Sequence, residues 1–169
     1  LGNICNLKCK TCNPGSSSKW VTDYAAVQKT FSFVTKFPAK LNASWIESDA
    51  FWADLSSCSA NTKLVYVNGG EPTLVEKQWG YLDSLIASGK TDSVTLWYNI
   101  NLTSLPEQLL HRLRQFKEVQ ITGSVDDIYS RNDYLRTGSK FDIILENIDR
   151  LKSEPGFKLS LNQTVSWLN

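Results

Sequence analysis

The sequence predicts an α/β fold in which parallel strands alternate with helices. Short apolar runs of strand length are separated by longer stretches whose apolar residues recur at helical spacing. Such alternation is typical of parallel strands joined by right-handed crossover helices. The length of 169 residues and the hydrophobic content of 41% suit one globular domain with a substantial core. The cysteines and the unusual polar residues follow predicted strands, where α/β folds place their functional sites.

The first part of the chain predicts a strand end and two helices. The strand ends at about residues 1–3 and leads into a cysteine-rich loop. Three serines, residues 16–18, are good caps for a helix. The apolar face of that helix has residues four, three and four positions apart: Trp20, Tyr24, Val27 and Phe31. A less regular stretch, 32–47, leads to a short helix that Ser48 caps.

The rest of the chain predicts four more strands, five in all, over residues 63–67, 92–98, 118–125 and 157–165. A helix with apolar residues from Val75 to Ile86 follows the first of these and stops at Gly89. Pro106 opens the next helix, and Ser139 caps the last one. The carboxyl ends of parallel strands share one edge, so the loops after them form a single rim.

Charge and hydropathy argue against several classes of function. The formal net charge of +1 lacks the clustered basic excess of a nucleic-acid-binding surface. No apolar run approaches the ~18 residues of a membrane span, and no signal peptide opens the sequence. We therefore expect a cytoplasmic protein without nucleic-acid or membrane partners. Because the sequence lacks Met and begins with Leu1, we expect a segment of a longer polypeptide.

Three cysteines on one short loop are the first sign of chemistry. Cys5, Cys9 and Cys12 have the spacing C-x3-C-x2-C, and their soft thiolates suit iron or zinc. An iron–sulfur cluster usually takes four cysteines, so a cluster held by three keeps one iron open for another ligand. Two alternatives remain open. One is a non-catalytic module with a structural zinc completed by Cys58 or His111, which would more often need a second close ligand pair. The other is a secreted, disulfide-linked domain.

A second motif, Gly69-Gly70-Glu71-Pro72, directly follows a predicted buried strand. Two glycines let a ligand approach the backbone closely. Glu71 offers an acceptor for a cationic group, and Pro72 stiffens the exit of the loop. Alone, this tetrapeptide is more often a turn than a site. The strand order predicts that it lies on the same rim as the cysteine loop, which favours a shared site.

The two motifs together resemble those of radical S-adenosylmethionine (SAM) enzymes, and the resemblance extends over all 169 residues. It implies that residues 1–169 are the core domain of such an enzyme. The implied fold is a partial (β/α)6 TIM-like barrel, incomplete at the C-terminus because strand six is missing. The implied ligands of a [4Fe–4S] cluster are Cys5, Cys9 and Cys12. The residues implied to hold the methionyl amino group of SAM are Gly69, Gly70 and Glu71.

The resemblance also implies a reaction and its partners. One-electron reduction of the cluster would cleave SAM, and the 5′-deoxyadenosyl radical would abstract hydrogen from a substrate. The electron would come from a donor such as flavodoxin or ferredoxin. The opening residues look most like members with a C-terminal twitch or SPASM extension, many of which act on peptides. The substrate itself is left open, because a peptide or protein and a small molecule are equally compatible with this core.

Weaker matches add three polar residues. Ser124 and Asp126 match the polar groups that the family presents to SAM after strand four. Arg136 falls where related enzymes carry an Arg-Gly pair, and it would bind the SAM carboxylate by a charge-assisted hydrogen bond. Thr11 departs from the pattern, because the residue before the last cysteine is commonly aromatic and stacks near adenine.

Three other notable side chains have ordinary interpretations. We expect Cys58 to be a small buried residue, since free cysteine packs well in cores. We expect His111 to lie at the surface of an amphipathic helix. Trp97, at the end of a predicted strand, would line the inside of the barrel.

Overall fold

The computed structural model describes residues 1–31 and 44–169, which contain six strands. In chain order these are β1 Lys8–Cys9, β2 Leu64–Val67, β3 Thr95–Ile100, β4 Glu118–Ser124, β5 Arg136–Thr137 and β6 Phe157–Asn162. Four of them form a parallel sheet of order β2-β3-β4-β6. Its carboxyl ends therefore lie at one edge. The α/β class is confirmed, and this open sheet is consistent with part of a TIM-like barrel.

The described residues also contain six α-helices: α1 Val21–Thr30, α2 Asp49–Ser57, α3 Gln78–Ala87, α4 Glu107–Leu113, α5 Tyr129–Leu135 and α6 Phe141–Ser153. Local signals explain several of their boundaries. Ser48 caps α2 by accepting a hydrogen bond from the Phe51 amide at 3.3 Å. After α3 ends, Gly89 takes a left-handed φ of 67°, which suits glycine. Pro106 directly precedes α4.

The core lies between one face of the sheet and the helices. Alternate residues of β3 and β4 are buried there, including Leu96, Tyr98 and Ile121. Leucines of α3 and α4 and Ile144 of α6 belong to the same apolar cluster. The opposite face of the sheet is open, with Trp97 37% exposed and its indole N–H donating to Thr122 at 2.9 Å. Trp97 thus lies on the side of the sheet away from the helices.

A small antiparallel ribbon lies beside the sheet and was not predicted. β1, within the cysteine loop, pairs with β5 so that Lys8 is opposite Thr137 and Cys9 is opposite Arg136. No strand forms at residues 1–3, in contrast to the prediction of a first parallel strand there. Leu1 instead lies beside the end of β2, where its amino group donates to the Asn68 carbonyl.

Two side-chain predictions were wrong. Cys58 is exposed, because a 3-10 turn over Cys58–Asn61 directs Ser59 rather than Cys58 toward the Tyr81 hydroxyl. Ser139 does not cap α6, since its hydroxyl donates to Asp133 at 2.8 Å and Lys140 holds the cap position. His111 is exposed on α4, as predicted.

Most of the predicted irregular stretch, residues 32–43, lies outside the described residues. In residues 1–31 and 44–169, no helix combines the length and apolar character needed to cross a membrane.

Candidate functional site

The cysteine loop lies at the carboxyl edge of the sheet and is tied to it by side chains. The side-chain amide of Asn6 donates to the Thr103 hydroxyl at 2.8 Å, and the side-chain amide of Asn101 donates to Asn6 Oδ1 at 2.8 Å. Both partners follow β3. On the other side, the Lys10 amide donates to the Leu135 carbonyl at 2.7 Å, which extends the ribbon with β5. These bonds hold the loop against the ends of the strands.

The segment before α1 is hydrogen-bonded to the backbone of the cysteine loop. The Trp20 indole N–H donates to the Cys9 carbonyl at 2.9 Å, and the Ser17 hydroxyl donates to the Leu7 carbonyl at 2.5 Å. Ser17, one of the three predicted capping serines, also caps the 3-10 turn at Ser18–Trp20. The roles of Asn6 and Trp20 were missed, because nothing in the local sequence shows that a loop amide or a helix-face indole will reach back to a cysteine loop.

Gly69 and Gly70 touch the start of the cysteine loop directly. Both have positive φ, 97° and 56°, in the region that favours glycine. A Cβ on Gly70 would lie 2.2 Å from the Ile4 carbonyl oxygen, and one on Gly69 would lie 2.8 Å from the Leu1 nitrogen. The Glu71 amide donates to that Ile4 carbonyl at 2.7 Å. The two motifs singled out in the sequence are therefore in backbone contact.

Glu71 is 1% exposed and accepts hydrogen bonds through both carboxylate oxygens. Oε1 accepts from the Thr73 amide at 3.2 Å and hydroxyl at 2.8 Å, and Oε2 accepts from the Asn101 amide at 2.7 Å. Burial raises the pKa of Glu71, and these hydrogen bonds and the Arg136 charge oppose the rise. The side chain joins the loops after β2 and β3.

The three cysteines of the loop are free thiols with different environments. Burial raises the pKa of Cys5. The hydrogen bond with Cys12, together with burial, raises the pKa of Cys9, while the Arg136 charge lowers it. The same hydrogen bond lowers the pKa of Cys12 to about 7, helped by Arg136 and opposed by burial and Asp126. Cys12 is therefore the thiol of this loop that ionises most readily.

A buried ion pair lies next to the cysteine loop. Arg136 Nη1 donates to Asp126 Oδ2 at 3.1 Å, and the two residues are 9% and 3% exposed. Asp126 Oδ1 accepts from the Thr164 amide at 3.0 Å. The Arg136 Nε is buried and has no hydrogen-bond partner among the described residues. Ser124, at the end of β4, is half-buried and lies opposite Asn162 of β6.

The structure thus brings together all the residues predicted for the SAM and cluster sites, apart from Ser124, for which it gives no side-chain contact. It separates Cys58 and His111 from them. Cys58 follows α2 and precedes β2, and His111 lies near the end of α4, which precedes β4. Both therefore lie toward the amino ends of the strands. In residues 1–31 and 44–169, no three His, Cys, Asp or Glu side chains are placed to hold one metal ion.

Comparisons with known proteins show a similarity in fold and none in sequence family. The chain matches no protein-family signature and no curated protein sequence. It is similar in structure to Streptococcus suis SuiB, solved bound to the precursor peptide SuiA, with 15% sequence identity and a TM-score of 0.58. The match covers 98% of this chain and 32% of that chain, so this chain spans about a third of its length. Nearly all of this chain therefore shares its fold with one part of SuiB.

Proposed function

We propose that this chain is the core of a radical SAM enzyme, with Cys5, Cys9 and Cys12 as ligands of a [4Fe–4S] cluster. The observation that carries the proposal is the contact between the three-cysteine loop and the Gly69-Gly70 turn at the carboxyl edge of a parallel sheet. Reduced thiols suit a cytoplasmic protein. When bound, the cluster would supply the electron that cleaves SAM to methionine and the 5′-deoxyadenosyl radical, which abstracts hydrogen from a substrate.

The donor set fits such a cluster better than it fits a structural zinc. A zinc site needs four ligands converging on one ion. The two candidates for a fourth ligand, Cys58 and His111, lie toward the other end of the sheet, and no group converging on one ion is present in the described residues. The cysteines of a [4Fe–4S] cluster each bind a different iron, so they need not converge on one point.

The chain's own groups would hold SAM from two sides. The half-buried backbone of Gly69 and Gly70 would meet the methionyl amino group, with the buried Glu71 carboxyl next to them. Arg136 has an unpartnered buried Nε to offer the methionyl carboxylate. Ser124 and Asp126 would act from the end of β4. Because both oxygens of Asp126 are already engaged within the chain, its part would be to orient Arg136.

We propose a peptide or protein as the first class of substrate to test. The similar protein SuiB was solved bound to a precursor peptide, and that likeness supports a peptide over a small molecule. The open face of the sheet, with Trp97 and the Thr122 hydroxyl, would be available to such a substrate. A flavodoxin or ferredoxin would supply the electron.

The test is anaerobic reconstitution of the purified protein with iron and sulfide. We expect about four irons and four sulfides for one cluster, a broad absorption band, and 5′-deoxyadenosine after dithionite and SAM are added. The variant with Cys5, Cys9 and Cys12 all changed to Ala should lose both properties. The matched control is Cys58→Ala, which should keep them because Cys58 is exposed and remote from the loop.

Two results would contradict the proposal. One is iron–sulfur absorption that survives in the triple variant. The other is one tightly bound zinc, lost with the three cysteines and insensitive to Glu71→Gln, which would establish the non-catalytic zinc module instead.

A further inference from the structure

We propose that the buried Asp126–Arg136 ion pair sets the reduction potential of the cluster, with its two charges acting in opposite directions. This inference rests on the proposed function, since it concerns a cluster held by Cys5, Cys9 and Cys12. It goes beyond SAM binding, because it gives the pair an effect on the cluster in the absence of SAM.

The position of Arg136 is fixed relative to the cysteines by the backbone. Arg136 is the register partner of Cys9 in the β1–β5 ribbon, and the Lys10 amide bonds to the carbonyl of the preceding residue, Leu135, at 2.7 Å. Paired residues of an antiparallel ribbon have Cα atoms about 5 Å apart. The cation therefore moves with the loop rather than on a flexible surface segment.

The pair is shielded from water, which strengthens its field. Arg136 and Asp126 are 9% and 3% exposed, and charges in such surroundings interact far more strongly than at a solvated surface. Both charges lie beside the loop, because Arg136 is paired with Cys9 in the ribbon and its Nη1 is 3.1 Å from Asp126 Oδ2. The free Nε of Arg136 leaves part of the guanidinium uncompensated by the aspartate.

Asp126 is anchored independently of Arg136. Its backbone N–H donates to Asn132 Oδ1 at 3.1 Å, and its Oδ1 accepts from the backbone N–H of Thr164. Its backbone carbonyl accepts from the side-chain amide of Gln163 at 2.7 Å. Removing the Arg136 charge would therefore leave the Asp126 carboxylate close to its place. Of the loop's own cations, Lys8 is half-buried and paired with Asp23, and Lys10 is exposed. Arg136 is therefore the buried cation beside the cysteines that favours adding an electron.

The charges predict shifts of opposite sign. Arg136→Gln leaves a buried carboxylate without its cation, so the cluster should become harder to reduce. Asp126→Asn leaves the cation uncompensated, so the cluster should become easier to reduce. We expect each substitution to change the ratio of reduced to oxidised cluster about tenfold at a fixed potential, which is about 59 mV for a one-electron couple. The double variant should return toward the wild-type value.

The experiment is a redox titration of reconstituted protein without SAM, monitored by EPR of the reduced cluster. Arg136→Lys is the charge-conserving control and should stay near the wild-type midpoint. Opposite shifts in Arg136→Gln and Asp126→Asn support the inference. Shifts of the same sign indicate general loosening of the loop and overturn it, as do two unchanged midpoints.

The inference can still be tested if one of the variants fails to fold. If Arg136→Gln takes up no iron, Asp126→Asn is compared with Arg136→Lys: a higher midpoint in the asparagine variant supports the inference, and equal midpoints overturn it. Failure of the wild-type protein to bind a cluster would overturn the proposed function itself. A wild-type cluster with unshifted variants would overturn only this inference.

Discussion

Gly70 is the residue at which the glycine turn and the cysteine loop come closest. Its φ of 56° and the 2.2 Å approach of a Cβ to the Ile4 carbonyl leave no room for a side chain. We expect Gly70→Ala to lower the free energy of unfolding by about 2 kcal/mol or more, from backbone strain and displacement of the loop. Urea unfolding of the metal-free protein measures this change.

Gly80 offers a matched control for that substitution. It lies within α3, and a Cβ there would meet nothing within 4 Å. Gly80→Ala should raise the free energy of unfolding by about 0.5–1 kcal/mol, because alanine is the better helix former. Equal effects of the two substitutions would contradict the proposed close contact at Gly70.

The buried carboxyl of Glu71 should make stability depend on pH. Burial raises its pKa in the folded state above the ordinary value of glutamate. The folded protein therefore binds the proton more tightly than the unfolded chain. The resulting stabilisation is complete below the ordinary pKa and is lost as pH rises through the raised pKa.

This dependence is measured by urea unfolding of the metal-free protein from about pH 4 upward, the ordinary range of glutamate. In Glu71→Gln, this decrease should be absent, although the variant is less stable overall because glutamine replaces one acceptor with a donor. Parallel pH profiles for the two proteins would show that Glu71 does not titrate in this way.

Among the elements, α1 contacts the cysteine loop through Trp20, just before it, and through the ion pair of its Asp23 with Lys8. The helix has no buried residue, while Trp20 donates to the Cys9 carbonyl. Trp20→Phe keeps a large ring but removes that donor. We expect a loss of about 1 kcal/mol and faster amide hydrogen exchange in residues 5–12.

Trp79→Phe is the control for this experiment, because the Trp79 indole N–H is buried without a partner among the described residues. That change should leave exchange in the cysteine loop as it was. Equal hydrogen exchange in the Trp20 and Trp79 variants would contradict the stabilising role that we assign to the Trp20 hydrogen bond.

The elements also show where sequence patterns suffice. β2, β3 and β4 were predictable because apolar runs of strand length end at Gly69-Gly70 or at polar residues. α5 and the β1–β5 ribbon were not predicted. Only Asn132 and Leu135 of α5 are buried, so no apolar face marks the helix. The ribbon has two residues in each strand and depends on pairing between distant segments.

At the scale of the whole molecule, the proposed cluster should stabilise the fold. Its three ligands lie on a loop bonded to the segment after β3 and to β5. A ligand that binds only the folded form raises the midpoint of thermal unfolding. We expect the reconstituted protein to melt at a higher temperature than the metal-free protein, and chelation of iron to abolish the difference.

Differential scanning fluorimetry under anaerobic conditions measures this shift. The Cys58→Ala variant should retain it, and the triple cysteine variant should show none. Identical melting of the loaded and metal-free forms would mean that iron is bound outside the folded loop.

Much of the site was predictable at this scale, and its internal contacts were not. The rim position of Gly69-Gly70-Glu71 follows from parallel topology alone. That of the cysteine loop does not, because no strand forms at residues 1–3 and the loop is held by contacts with later segments. The engagement of Asp126 by Thr164 and the burial of Arg136 depend on packing between distant segments. The exposure of Cys58 depends on how α2 ends, and the general tendency of free cysteine to be buried does not predict that ending.

The bond between Asn6 and Thr103, residues 97 positions apart, has a consequence for biosynthesis. The cysteines of residues 5–12 are synthesised before the segment after β3 and before β5, on which their surroundings depend. Long-range contacts of this kind form late, because the intervening chain has to be ordered first. These thiols thus reach their final environment only after later segments are made, so insertion of a metal centre would follow synthesis of β5 and not accompany emergence of the loop.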